Sequence, residues 1–268
     1  MVEEPCDRKH PERPVAGAGL VDRMRARSGH VKFVADVDEA LEVDLPQRFS
    51  QAVALATSPA GRRVLDVGCW TGGLLGLVAA HDPRELVGVD IPGPWLQVAQ
   101  RRLPGAKLLP MGNFDHFPDE LRGRFDTVFF LETLEHLPRG SETTVLRALG
   151  GLLAYGGELV LSTPAAGLAT LWDPAWLLIG HRHYRRATLI RMLADGGLEV
   201  ERVCYQGNTW TSIDTFLFYG YKHLLRRRYV PHAGIARREP QTLYPVRRIC
   251  STNIWLKAVV AKAAHRMV

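Results

Sequence analysis

Residues Val64–Gly73 read VLDVGCWTGG. Val64, Leu65 and Val67 surround an acid, a glycine-bracketed turn follows, and Leu74, Leu75, Leu77 and Val78 then recur at helical spacing. This is the pattern of a buried strand, a tight turn and a helix start. Such an arrangement holds a nucleotide-like ligand at the C-terminal end of a strand. Glycine suits the turn because it takes positive φ and lets the backbone approach a ligand closely. The turn alone names no ligand, so its neighbours must decide.

On the N-terminal side, Leu45, Phe49, Val53 and Ala56 form an apolar stripe that Ser58-Pro59-Ala60-Gly61 ends, which predicts a helix over the cofactor side of a sheet. On the C-terminal side, strand and helix signals alternate. Strands are expected at 86–89, ending in Asp90, at 106–110, 125–131 and 158–162. Helices are expected to about Ala80, over 94–102 with proline in the first turn, and over 141–153 with Gly156-Gly157 as a stop. A helix over 188–194, a sixth strand over 198–205 and a seventh over 253–261 complete the series. Strands separated in this way predict a parallel sheet covered on both faces. The 46 residues of 206–251 exceed a simple connection and are read as an inserted cap.

Composition narrows the class. The chain has 268 residues, 46% hydrophobic and 23% charged, as expected for one globular domain with an elaboration. Its opening stretch, MVEEPCDRKHPERP, is charged and proline-rich with no apolar centre, and no apolar run approaches the ~20 residues that span a bilayer. A secreted or integral membrane protein is not expected. Cys6, Cys69, Cys204 and Cys250 form no paired motif and read as reduced cytoplasmic thiols. Residues 181–268 carry 16 Lys+Arg against 5 Asp+Glu. That imbalance fits either an anionic partner or a solvated basic face.

The order of motifs carries a resemblance. VLDVGCWTGG, LVGVDI, LLPMGNFDHFP, FDTVFFLETLEHLP, GGELVLSTPA and HYRRATLIRMLADGGLEV follow one another as in class I S-adenosylmethionine-dependent methyltransferases. Within that superfamily the chain resembles the branch of the ubiquinone-biosynthesis O-methyltransferases and the type 11 and type 23 methyltransferase domains. The resemblance covers 60–205 and the last strand, and says little about 1–43 or 206–251. It implies a Rossmann-like α/β fold with a seven-stranded, mostly parallel sheet and an antiparallel last strand.

The resemblance also implies a cofactor site. Asp66 and Gly68 lie under the methionine part, with Cys69, Trp70 and Gly72 in the same turn and Leu131 at the end of the fourth strand. Asp90 binds the ribose, where an acid can accept from both hydroxyls. Ile91 flanks the adenine, and Asn113 and Phe114 meet its edge and face. Asn113 stands where the family more often has Asp, and its amide oxygen still accepts from an adenine amino group. Trp70 replaces a glycine of the family's turn, and two readings stay open: it packs away from the cofactor, or it walls the methionine end.

S-adenosylmethionine carries its own leaving group, so a protein mainly aligns the reacting groups, and a hydroxyl acceptor also needs a base or a Lewis acid. Glu132, Glu135 and His136 follow the fourth strand, and in a helical turn they would share a face. The ExxEH pattern resembles a divalent-metal motif of some ubiquinone-pathway and small-RNA 2′-O-methyltransferases, with His183 at the position of the last ligand. A metal held by Glu132, Glu135, His136 and His183, or metal-free catalysis by His136 with Glu132 and His183, are the two expectations. His181, Tyr184, Trp172 and Trp176 read as rim or packing residues.

In the cap, Ile213, Phe216, Leu217, Tyr221, Leu224 and Leu225 form an apolar face ahead of Arg226-Arg227-Arg228. That suits an active-site lid, or peripheral contact with an anionic membrane. No RNA-binding module is visible, so nucleic acid is not the expected partner. The expected organisation is an arm at 1–43, a methyltransferase core at 44–205, a cap at 206–251 and a last strand with tail at 252–268. The expected activity is O-methylation of a small-molecule hydroxyl. RNA 2′-O-methylation and a non-catalytic cofactor-binding regulator are the alternatives, and the sequence leaves the oligomeric state open.

Overall fold

The computed structural model describes residues 46–167, 170, 181–206 and 253–261. The expected arm at 1–43, nearly all of the cap, and Trp172 and Trp176 lie outside these residues.

Helix α1 (Pro46–Leu55) leads into β1 (Arg63–Val67), α2 (Gly73–Ala79), β2 (Glu85–Asp90), α3 (Pro94–Arg102) and β3 (Lys107–Pro110). Then come β4 (Phe125–Leu131), α4 (Glu142–Gly150), β5 (Leu153–Pro164), α5 (Arg186–Asp195), β6 (Leu198–Gln206) and β7 (Asn253–Val260). The strands form one sheet in the order β3-β2-β1-β4-β5-β7-β6. Strands β1–β5 run parallel, and β7 inserts antiparallel between β5 and β6. The expected seven-stranded sheet with its antiparallel last strand is present.

Each central strand divides its apolar residues between two cores. Val64, Phe129, Val160 and Trp255 face α1 and α2, with Ala52, Leu55, Leu74 and Val78. Their sequence neighbours Leu65, Val128, Phe130, Leu159, Leu161, Ile254 and Leu256 face α4 and α5, with Val145, Leu146, Leu149, Leu189 and Leu193. A strand with period-2 side chains that is apolar at every step can bury both faces only between two layers of helices. The order of the strands then reverses direction at β1–β4, the place where ligands bind beyond the strand ends in open α/β sheets.

One boundary departs from the sequence reading. Gly156-Gly157 does not stop a helix: α4 ends at Gly150, and β5 runs through both glycines. A Cβ at Gly157 would lie 2.8 Å from the Phe125 carbonyl oxygen, so this glycine serves close strand approach.

At the end of the sheet away from the site, Glu158 is 3% exposed and ties α1 to the sheet. Its carboxylate accepts from Thr57 N at 2.6 Å and Thr57 Oγ1 at 2.9 Å, and pairs with Lys257 Nζ at 2.7 Å. Burial alone would raise its pKa, but the Lys257 and Thr57 donors outweigh burial and hold it below the usual 4.5. A depressed folded-state value gives stability above the unfolded pKa that is lost as pH falls through the folded one. Glu158→Gln should therefore destabilise the fold by about 2 kcal/mol at neutral pH. In denaturant titrations the gap to the wild type should close as pH falls below 4.5.

Candidate active site

The β1–α2 turn is built from left-handed residues: Gly68 (φ 84°), Trp70 (φ 45°) and Gly72 (φ 78°). Gly68 N and Cys69 N both donate to Val89 O on β2, at 2.8 and 3.1 Å, so the turn folds across the end of the neighbouring strand. Gly68 also admits Thr133, since a Cβ at this position would sit 2.2 Å from Thr133 Oγ1.

Two carboxyls flank the turn. Asp66 is 3% exposed and Asp90 8%. Asp66 pairs in register with Gly88, which puts it on the same sheet face as Asp90 two residues on. Asp66 accepts no hydrogen bond from the described residues, and burial, reinforced by Asp90, raises its pKa to about 8. Asp90 is instead held by donors. Its Oδ2 accepts from Trp70 N at 2.6 Å, and its Oδ1 accepts from Ile91 N at 2.7 Å and from the Trp95 indole Nε1 at 3.2 Å. Burial still raises its pKa against the pull of these donors. The Cys69 thiol is driven up by burial and by both acids, so it stays protonated.

These residues fit S-adenosylmethionine. A cationic ligand group beside Asp66 offsets both effects that raise its pKa and favours the charged acid. Trp70 Nε1 is a buried donor with no partner among the described residues. Ile91, 43% exposed, leaves apolar surface beside Asp90 for a base. Asn113 is exposed near Met111, whose N–H bonds Asp90 O at 2.8 Å. Phe114 belongs to the core, stacked on Phe117 and edge-on to Phe130. Leu131 packs at the border of the α1–α2 core.

The segment after β4 differs from the expected helical face. Glu132 has φ 49° and lies outside the following short 3-10 turn, Leu134–His136. Glu132 N donates to Ser162 O, and the carboxylate accepts from Ser162 Oγ at 2.7 Å and Asn253 Nδ2 at 2.8 Å. It thereby ties the ends of β4 and β5 to the start of β7. Glu135 Oε2 accepts from Thr163 Oγ1 at 3.0 Å, and His183 Nδ1 lies 3.1 Å from Thr170 Oγ1 and 3.2 Å from Ala165 O.

Among the described residues no three His, Cys, Asp or Glu side chains group so as to hold a metal ion. Glu132, Glu135, His136 and His183, expected to converge, form no such group among the described residues. The cause is local: a left-handed Glu132 followed by a 3-10 turn does not stack i, i+3 and i+4 as an α-helix does.

His136 instead meets His181, ring centroids 4.5 Å apart and nearly perpendicular. Burial among the surrounding chain pushes the His136 pKa below the usual 6.5, with Glu132 pulling up and Arg182 pushing further down. Arg182, between the two histidines of HRHY, is a clamp that sequence reading missed. It pairs with Glu142 and donates to the carbonyl oxygens of Leu134 (2.9 Å), Glu135 (3.2 Å) and Leu137. Its guanidinium lies over the Tyr184 ring, whose hydroxyl bonds Leu134 O. Ser162, Asn253, Trp95 and Thr133 were also missed; a polar residue at a strand end was the only available signal for the first two.

Gly68→Ala combines left-handed strain with the Thr133 clash. It should cost about 2 kcal/mol in thermal melts and weaken S-adenosylhomocysteine binding by about tenfold in calorimetry. Adding Thr133→Ala should restore part of the stability, because it relieves the clash and not the strain. Unchanged binding in Gly68→Ala would place the ligand elsewhere.

The chain is similar to known proteins. Residues 35–203 match a family described as a methyltransferase domain. A protein of Xanthomonas axonopodis pv. citri (strain 306) named ubiquinone biosynthesis O-methyltransferase is 33% identical over 195 residues, 64% of this chain and 80% of that one. One of the same name from Dechloromonas aromatica (strain RCB) is 39% identical over 111 residues, 40% of this chain and 47% of that one. In fold, the chain is similar to an S-adenosylmethionine-dependent methyltransferase from Mesorhizobium loti, with TM-score 0.55 and 16% identity over 80% of this chain and 98% of that one. A TehB-like methyltransferase from Corynebacterium glutamicum gives TM-score 0.52 and 15% identity over 83% and 91%. The chain belongs to the methyltransferase-domain family, the S-adenosylmethionine-dependent enzymes of Rossmann-like fold.

Proposed function

We propose that this enzyme methylates a hydroxyl oxygen of a small-molecule acceptor, with His136 receiving the acceptor's proton. The observation that carries the reading is His136: a histidine kept neutral by its surroundings, on a clamped turn directly after β4, with a partly open ring. The O-methyltransferase names of the sequence relatives support an oxygen acceptor.

Bound S-adenosylmethionine supplies an electrophilic methyl on a sulfonium that leaves as a neutral thioether. The chain's own task is to seat both reactants and remove a proton. Asp90, together with Asp66 once a neighbouring cation favours its charged form, provides negative charge at the cofactor end. His136 is neutral at physiological pH and can take a proton from an acceptor hydroxyl. Arg182 serves it twice: its bonds to the Leu134, Glu135 and Leu137 carbonyls fix the turn, and its charge opposes protonation of the ring. His181, edge-on to His136, limits the directions the ring can take. Glu132, gripped by Ser162 and Asn253, holds the strand ends together beneath the acceptor.

The test is S-adenosylhomocysteine release across a panel of phenols, sugars, lipid-linked alcohols and amines. Turnover confined to amines, or to RNA, would sink the hydroxyl reading; cofactor binding with no turnover on any acceptor would favour a regulator. With a turned-over acceptor in hand, His136→Gln should lower kcat by about 10²–10⁴-fold with cofactor affinity kept. The base must be unprotonated, and a depressed pKa keeps it so to lower pH. The acid limb of the wild-type pH profile should therefore lie below 6.5 and vanish in the variant.

A further inference from the structure

We propose that Asp90 reads the cofactor's ribose through a single hydroxyl, at Oδ2, because the Trp95 indole N–H occupies the acceptor position on Oδ1 that a second hydroxyl would need. This rests on the reading that the nucleoside of S-adenosylmethionine lies at Asp90.

A carboxylate offers about four lone-pair positions, two on each oxygen. On Oδ1 both are taken, by Ile91 N at 2.7 Å and Trp95 Nε1 at 3.2 Å. On Oδ2 one is taken, by Trp70 N at 2.6 Å. A single position remains. The bidentate grip on a ribose diol that an acid at this place can make is thus reduced to one hydrogen bond.

The indole does not occupy this place by chance of an exposed rotamer. Trp95 is 8% exposed and lies in the first turn of α3, behind a proline at the helix start. A Cβ on Gly93 would come within 2.2 Å of the indole Cζ2, so only glycine leaves room for the ring to fold back. Its N–H is shared between Asp90 Oδ1 and Ile91 O, both at 3.2 Å. Clearing Oδ1 for a second hydroxyl would require moving a buried aromatic ring and leaving its donor and the Ile91 carbonyl to find new partners. The indole N–H is therefore a built-in substitute for one ribose hydroxyl, and Trp95 sets what the site demands of the sugar.

Calorimetric titration of the full chain with S-adenosylhomocysteine and with its 2′-deoxy and 3′-deoxy analogues tests this directly. One analogue should bind within about twofold of the parent and the other about tenfold more weakly, the scale of one hydrogen bond to a charged acceptor. Comparable losses for both analogues would overturn the proposal in favour of a diol clamp; no loss for either would overturn it by removing Asp90 from ribose recognition. Trp95→Phe opens Oδ1, and the previously tolerated analogue should then fall about tenfold behind the parent as well. Continued tolerance in a variant with an unchanged melting curve would also overturn it. The wild-type comparison stands by itself where the variant fails to fold. Failure of the parent to bind at all would instead overturn the cofactor reading beneath the proposal.

Discussion

The site depends on one hydrogen bond, from Trp70 N to Asp90 Oδ2 at 2.6 Å. A tryptophan at φ 45° costs on the order of 1–2 kcal/mol, because its Cβ crowds the following carbonyl. A short charge-assisted bond in a buried setting is of the size needed to offset that. The bond also joins the tip of the β1 turn to the end of β2, so one contact fixes both the turn and the orientation of the acid. Remove the acid and the turn loses its anchor; remove the turn and the acid is left buried beside Asp66 with less to hold its charge.

The β4 end is assembled by the same logic with different parts. Glu132 adopts φ 49° and is held by Ser162 and Asn253. Arg182 then donates to the Leu134, Glu135 and Leu137 carbonyl groups around the 3-10 turn. Both strained residues, Trp70 and Glu132, stand next to the ends of β1 and β4, where the sheet reverses its order. Strain kept at such positions, and compensated by distant partners, is what a preorganised site looks like physically.

The sheet was legible because its signal is local. Val64 and Leu65, or Phe129 and Phe130, announce burial on both faces through sequence neighbours alone. The glycine turn was legible for the same reason, since glycine spacing and the acids lie within 27 residues, Val64 to Asp90. The segment after β4 was less so. ExxEH suggests a helical face, yet the conformation of Glu132 is set by Ser162 and Asn253, 30 and 121 residues away. Arg182 reads as one more surface cation until its 40-residue-distant partner Glu142 is known. Trp95 read as a helix residue because nothing local says that its indole folds back onto an acid. Trp70, ambiguous in sequence, has a backbone role that is now defined, while its indole N–H is buried with no partner among the described residues.

The two halves of the site act differently on charge, and the difference suits methyl transfer. At the β1–β2 end two buried acids crowd each other, which makes a positive ligand group the natural way to relieve both. At the β4–β5 end burial, helped by Arg182 and against the pull of Glu132, discourages His136 from holding a proton. A methyl donor is cationic and a neutral imidazole is free to take a proton, so each end disfavours a charge state that would stall a methyl transfer. Exchanging the two environments would keep the fold and lose the chemistry: a histidine beside two acids would stay protonated, and an acid beside Arg182 would be too weak a base. The fold supplies two strand ends close together, and the residues placed on them make the ends unequal.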